Sequence, residues 1–224
     1  MGFQHVEFPD IRVIHGDTAL EYAAWHGVLD DLRYVERMVE RIGPLLASPP
    51  PDRAGQDAQD MLRAMSSSSL VAYARCFEDG ARRRITPTIF DSRADDAARW
   101  HEYFMESRHK HIAHPLNVFD DVRAYCTLEA NGDVRMVNRV VLTRAADSEE
   151  GVRMLGVLTR HAIEFVEKTL APLQATLETE VRAMTPEQRL SLPPWKVAAT
   201  LGDRPDVKAV ARRKAKARTG KQRR

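Results

Sequence analysis

Trp25, Val28, Leu29, Leu32, Val35, Val39 and Ile42 recur at helical spacing, the spacing that stacks side chains on one side of an α-helix. A stripe of this length has to be buried, and burying it takes further helices with matching faces. The chain contains them. Met61, Leu62, Met65, Leu70, Tyr73, Cys76 and Phe77 form a second stripe. Ala94, Ala97, Trp100, Phe104 and Ile112 form a third, and Val152, Leu155, Ile163, Val166 and Leu170 a fourth, continued by Leu173, Leu177 and Val181.

Local signals set the expected ends. Thr18 and Glu21 have capping-box spacing, so the first helix is expected over 18–42, with Gly43-Pro44 stopping it. The second is expected over 55–79, interrupted on its apolar side by Ser66 to Ser69 and stopped by Gly80. Thr86-Pro87 reads as the cap and first residue of a short helix. The third long helix is expected from Asp91-Ser92 to His114, because a residue before proline leaves the α region. Asp147 opens the last, which runs to about 184, and Thr185-Pro186-Glu187-Gln188 caps one more short helix. Between the third and fourth stripes, 122–143 is rich in β-branched residues around Asn131-Gly132, a hairpin signal. The expected fold is all-α: an antiparallel bundle over residues 1–190 with a β-hairpin inserted at about 122–143.

Charge divides the chain. Residues 207–224 hold nine of the 34 basic side chains and no acidic one, leaving 25 basic against 32 acidic side chains in 1–206. Residues 191–224 are therefore expected to be a basic, disordered tail, either a solubiliser or a docking arm for a polyanion. No apolar run approaches the ~20 residues that span a bilayer. Glu7 and Asp10 break any signal-peptide pattern. Cys76 and Cys126 stand singly in apolar contexts and read as buried free thiols. The expected location is cytoplasmic.

The chemistry-bearing residues gather at the end of the third stripe, in Glu106-Ser107-Arg108-His109-Lys110-His111-Ile112-Ala113-His114-Pro115. Histidine exchanges protons near neutral pH, and arginine holds phosphate in a bidentate fork. Pro115 lets His114 leave helical geometry and swing toward Arg108, while Ile112 and Ala113 anchor the last turn. Two other readings stand beside a phosphodiester site. Cations at a helix C-terminus favour the macrodipole without further purpose. His111 and His114, one turn apart, could share a metal ion with His101 or Glu102, although the flanking cations oppose it.

The string Arg108-His109-Lys110-His111-Ile112-Ala113-His114 resembles the Arg-polar-x4-His motif of the HEPN superfamily (higher eukaryotes and prokaryotes nucleotide-binding). Its Arg-x-Lys-x-Ile-Ala-His form is similar to the abortive-infection branch. Tyr73-Ala74-Arg75-Cys76-Phe77 resembles a helix end of related sequences. The resemblance implies a HEPN-like bundle that pairs as a homodimer, with the motif helices of two protomers facing each other. It implies a metal-independent endoribonuclease that leaves a 2′,3′-cyclic phosphate and needs no cofactor, a toxin or phage-defence effector with RNA as substrate and an antitoxin or regulatory protein as a further partner. His114 would then be the general base or acid, Arg108 the holder of the scissile phosphate, and His109 the residue that orients one of them. The alternative is a non-catalytic HEPN module that binds nucleic acid or regulates. The polar position is often Asn in the family and is His109 here. Leu116 stands where some toxin branches carry a tyrosine, and the hairpin is not a general family feature.

Overall fold

The computed structural model describes residues 7–47, 53–79, 83–91, 96–109, 121–142 and 146–196. Strand β1 (Glu7–Arg12) is followed by helices α1 (Asp17–Ala47) and α2 (Arg53–Arg75), a 3-10 turn (Pro87–Phe90) and α3 (Ala97–Ser107). Strands β2 (Asp121–Leu128) and β3 (Val134–Leu142) come next, then α4 (Glu149–Ala183), α5 (Pro186–Ser191) and β4 (Pro194–Lys196). The chain divides into two compact units, Ala24–Leu170 and the pair of segments Met1–Ala23 and Ala171–Arg224.

The larger unit is a helical core. Trp25, Val28, Leu32, Val35, Met38 and Ile42 are the buried face of α1. Met38 and Ile42 pack on Leu62 of α2 and Val152 of α4. Farther along, Tyr34 donates to Ser68 Oγ at 2.8 Å, and Asp31 pairs with Arg75 at 3.4 Å. As the numbers fall along α1 they rise along α2, so the two are antiparallel. The same holds for α4: Val152 meets Ile42, while Phe165 makes an edge contact with Trp25 at 6.1 Å between ring centres. The antiparallel bundle is thus present in these three helices.

Several helix ends differ from expectation. Helix α1 does not stop at Gly43-Pro44 but runs through Pro44 to Ala47. Proline forfeits one backbone hydrogen bond there, and the packing of Leu45 and Leu46 on the Met38–Ile42 cluster offsets it. Ser66 to Ser69 do not interrupt α2. Ser68 and Ser69 return their hydroxyls to Met65 O at 3.0 and 2.6 Å, which leaves the helix continuous. Helix α2 ends at Arg75, before Gly80, and Cys76 and Phe77 lie in the turn that follows. Helix α3 starts at Ala97, after Asp96 in left-handed geometry (φ 54°), and not at Asp91. The hairpin forms as expected, with Tyr125 opposite Asn138 and Cys126 opposite Val137. Gly132 takes φ 90° in its turn, the conformation that favours glycine. Cys76 is buried, but Cys126 is exposed, because the described side chains of β2 and β3 have solvent on both faces.

In the smaller unit, α5 has the expected capping box, with Gln188 N donating to Thr185 Oγ1 and Thr185 N to Gln188 Oε1. β4 pairs antiparallel with β1, Phe8 opposite Trp195, and Arg12 donates to Leu192 O at 3.2 Å. Structure therefore continues past residue 191, the expected start of the tail. Residues 197–224, with all nine basic side chains of 207–224, lie outside the described residues. Among the described residues no helix is long and apolar enough to cross a membrane.

Candidate functional site at the end of α3

The α3 stripe that faces α2 is Ala97, His101, Phe104 and Ser107, all buried. His101 lies in the core and not on the surface. It is packed among Tyr73, Phe77 and Phe90, with ring centres 5.8, 4.5 and 5.2 Å away. Its Nδ1 lies 2.9 Å from Tyr73 Oη. Burial lowers its pKa to about 4, so the ring is neutral near pH 7. Burial likewise raises the Tyr73 hydroxyl well above its ordinary value, with the Cys76 thiol adding to the effect. A neutral imidazole and a neutral phenol satisfy each other inside an aromatic cluster. The pair pins α3 to the segment Tyr73–Phe77.

Arg108 is seven residues after His101, nearly two helical turns, so it emerges on the same side of α3. Arg108 and His109 lie in a π turn, and the Arg108 N–H is itself shared between Phe104 O and Met105 O, the α and 3-10 positions. Such turns are frequent at functional sites. The Arg108 Nη1 donates to His109 Nδ1 at 3.2 Å. A guanidinium only donates, so Nδ1 accepts and the proton of the neutral ring is on Nε2. That Nε2 is 3.4 Å from Glu78 Oε1, and Arg108 Nη1 is 3.3 Å from the same oxygen. Neither approach has hydrogen-bond geometry, and Oε1 is buried. The three groups form a closed triangle, with Arg108 and Glu78 side chains about a quarter exposed (27% and 25%) and His109 at 55%.

Arg108 and His109, expected together, are together. Glu78 is the member that the sequence does not announce: it follows the Tyr73–Phe77 string in the turn after α2, and no spacing ties it to a residue thirty positions on. His114, the expected general base or acid, lies outside the described residues, as do Lys110, His111 and Pro115. The metal reading of His111 and His114 lies there too. Chemically, the triangle presents a fixed guanidinium and an imidazole N–H to an anion. No protein-family model, curated protein or solved structure matches this chain.

Proposed function

We propose that the chain is a metal-independent endoribonuclease of the HEPN type, acting as a homodimer. The observation that carries this reading is the placement of Arg108, oriented by His109 Nδ1 at 3.2 Å, on a helix end pinned by the buried Tyr73–His101 pair. The string Tyr73–Phe77 supplies the tyrosine of that pair, and its partner His101 is seven residues before the string that begins at Arg108.

In this reading Arg108 holds the scissile phosphate and the charge that grows on it in the transition state. His114 takes the proton of the 2′-hydroxyl, or returns one to the leaving 5′-oxygen. The 2′-oxygen attacks phosphorus, the bond to the 5′-oxygen breaks, and the products are a 2′,3′-cyclic phosphate and a 5′-hydroxyl. A homodimer makes two copies of His114 available for the two proton transfers. His109 is a positioning residue. A role as a toxin or phage-defence effector, held in check by an antitoxin or regulatory partner in the cytoplasm, belongs to the same reading.

One observation favours a second reading. Glu78 already sets an anion against Arg108 and His109, as expected of a non-catalytic module in which the arginine is structural. Purified protein incubated with total RNA in excess EDTA separates the two. Cleavage that leaves cyclic phosphate ends supports the enzyme. RNA binding without cleavage supports the module. Activity lost to EDTA and restored by zinc or manganese overturns the metal-free mechanism.

A further inference from the structure

Glu78 occupies an odd position for a structural carboxylate. Its backbone N–H is used by Ala74 O at 3.0 Å, which fixes the turn after α2. Its Oε1 is buried without a hydrogen bond, although two donors stand 3.3 and 3.4 Å away. A carboxylate placed to orient an arginine normally takes it in a bidentate fork at bonding distance. Here the orientation of Arg108 comes from other contacts, the hydrogen bond to His109 Nδ1 and the Tyr73–His101 pin below it. The neighbouring acid, Asp79, is turned away to Arg84 at 2.9 Å. Glu78 is left as an anion beside Arg108 Nη1 and His109 Nε2, hydrogen-bonded to neither.

We infer that Glu78 is a built-in competitor that stands where a phosphate group binds, so that a phosphodiester has to displace it to reach Arg108 and His109. A phosphate offers more acceptor oxygens than Oε1 does and can take the guanidinium fork that Glu78 leaves unused. Ion pairs with partly exposed members are weak, so the contact yields to a ligand that binds both donors properly. The identity of the ligand as RNA rests on the function proposed above; the competition itself does not.

The test uses the full chain and a short fluorescent RNA. Glu78→Gln keeps the shape and removes the charge, and it should bind RNA about three- to tenfold more tightly than the wild type. The gain should vanish in Glu78→Gln/Arg108→Ala. If Glu78→Gln binds no better while Arg108→Ala binds worse, Glu78 is a positioning residue and the competition is overturned. If Arg108→Ala changes RNA binding in neither background, the RNA reading of this site fails, and pyrophosphate then decides. Followed by the ring signals of His109 in NMR, pyrophosphate should saturate Glu78→Gln at lower concentration than the wild type; equal saturation overturns the inference. Should Glu78→Gln fail to fold, Glu78→Asp, with its carboxylate drawn back by one methylene, should show the same tightening in smaller measure, and unchanged binding in that variant also overturns it.

Discussion

Tyr73 Oη lies 2.9 Å from His101 Nδ1, and both side chains are withdrawn from water. The pair joins α2 to α3 one step beneath Arg108, so the stability of the core and the geometry of the candidate site share a contact.

The burial of His101 makes stability depend on pH with a definite sign. His101 has its pKa lowered from 6.5 to about 4 by burial. The folded state favours the neutral ring, and between these values the unfolded chain binds the extra proton. The contribution is fully present above pH 6.5 and is lost as pH falls toward about 4, on the order of 3 kcal/mol over the window. His101→Phe should flatten the pH dependence of urea unfolding between pH 7 and 4.5. Parallel profiles for the two proteins would reject the assignment.

Removing only the Tyr73 hydroxyl should be costly for a different reason. Tyr73→Phe leaves a buried His101 nitrogen without a partner, at about 1–3 kcal/mol. The double variant Tyr73→Phe/His101→Phe should recover part of that loss, since no polar atom is then stranded. Additive losses in the double-mutant cycle would show that the hydrogen bond carries no coupling.

Pro44 offers a change in the opposite direction. Helix α1 continues past it to Ala47 only because Leu45 and Leu46 pack on the core cluster. Pro44→Ala restores the missing backbone N–H and should stabilise the protein by about 1–2 kcal/mol, read as a higher midpoint in urea. A lower midpoint would mean that the proline ring itself is needed in that packing.

The residues announce some of this architecture and leave the rest unsaid. The stripes of α1, α2 and α4 are legible because each follows the helical interval over many turns, and burial then decides the face. Pro44 and Ser66 to Ser69 mislead because local preference is weak beside packing of the same segment. β1 and β4 are illegible because Glu7–Arg12 has Pro9 and no alternation; its partner lies about 180 residues on. His101 carries a readable signal, since it shares the interval of Ala97 and Phe104, but a histidine near other histidines draws attention as a ligand. Arg108 and His109 are neighbours in the chain and can be seen together. Glu78 reaches them only through the turn after α2. Cys126 reads as buried because its neighbours are apolar, yet it is exposed, since a two-stranded hairpin has no inside of its own.

Under the proposed function, His114→Ala should lower RNA cleavage by about 10²–10⁴-fold while the circular dichroism spectrum and unfolding midpoint stay unchanged. Arg108→Ala should lower cleavage as well and also weaken binding, because the guanidinium holds the phosphate before and during the reaction. His109→Asn, which keeps a polar group beside Arg108, should retain more activity than His109→Ala. Unaltered cleavage in His114→Ala would remove that residue from the chemistry.

The basic tail should act on binding and leave the chemistry alone. Its nine cations meet no acidic residue over 207–224, and a cluster of that kind binds RNA by releasing counterions, without sequence preference. Deleting 207–224 should weaken RNA binding and flatten its salt dependence, by roughly 0.7 in the log–log slope for each phosphate that the tail neutralises. Cleavage at saturating RNA should persist, since the tail has no histidine and Arg108, His109 and Glu78 are untouched. An unchanged slope would make the tail a passive solubiliser and return phosphate capture to Arg108 and its neighbours. Cleavage that fails even at saturating RNA would make the tail part of the site, and the division between a catalytic helix end and an electrostatic arm would be wrong.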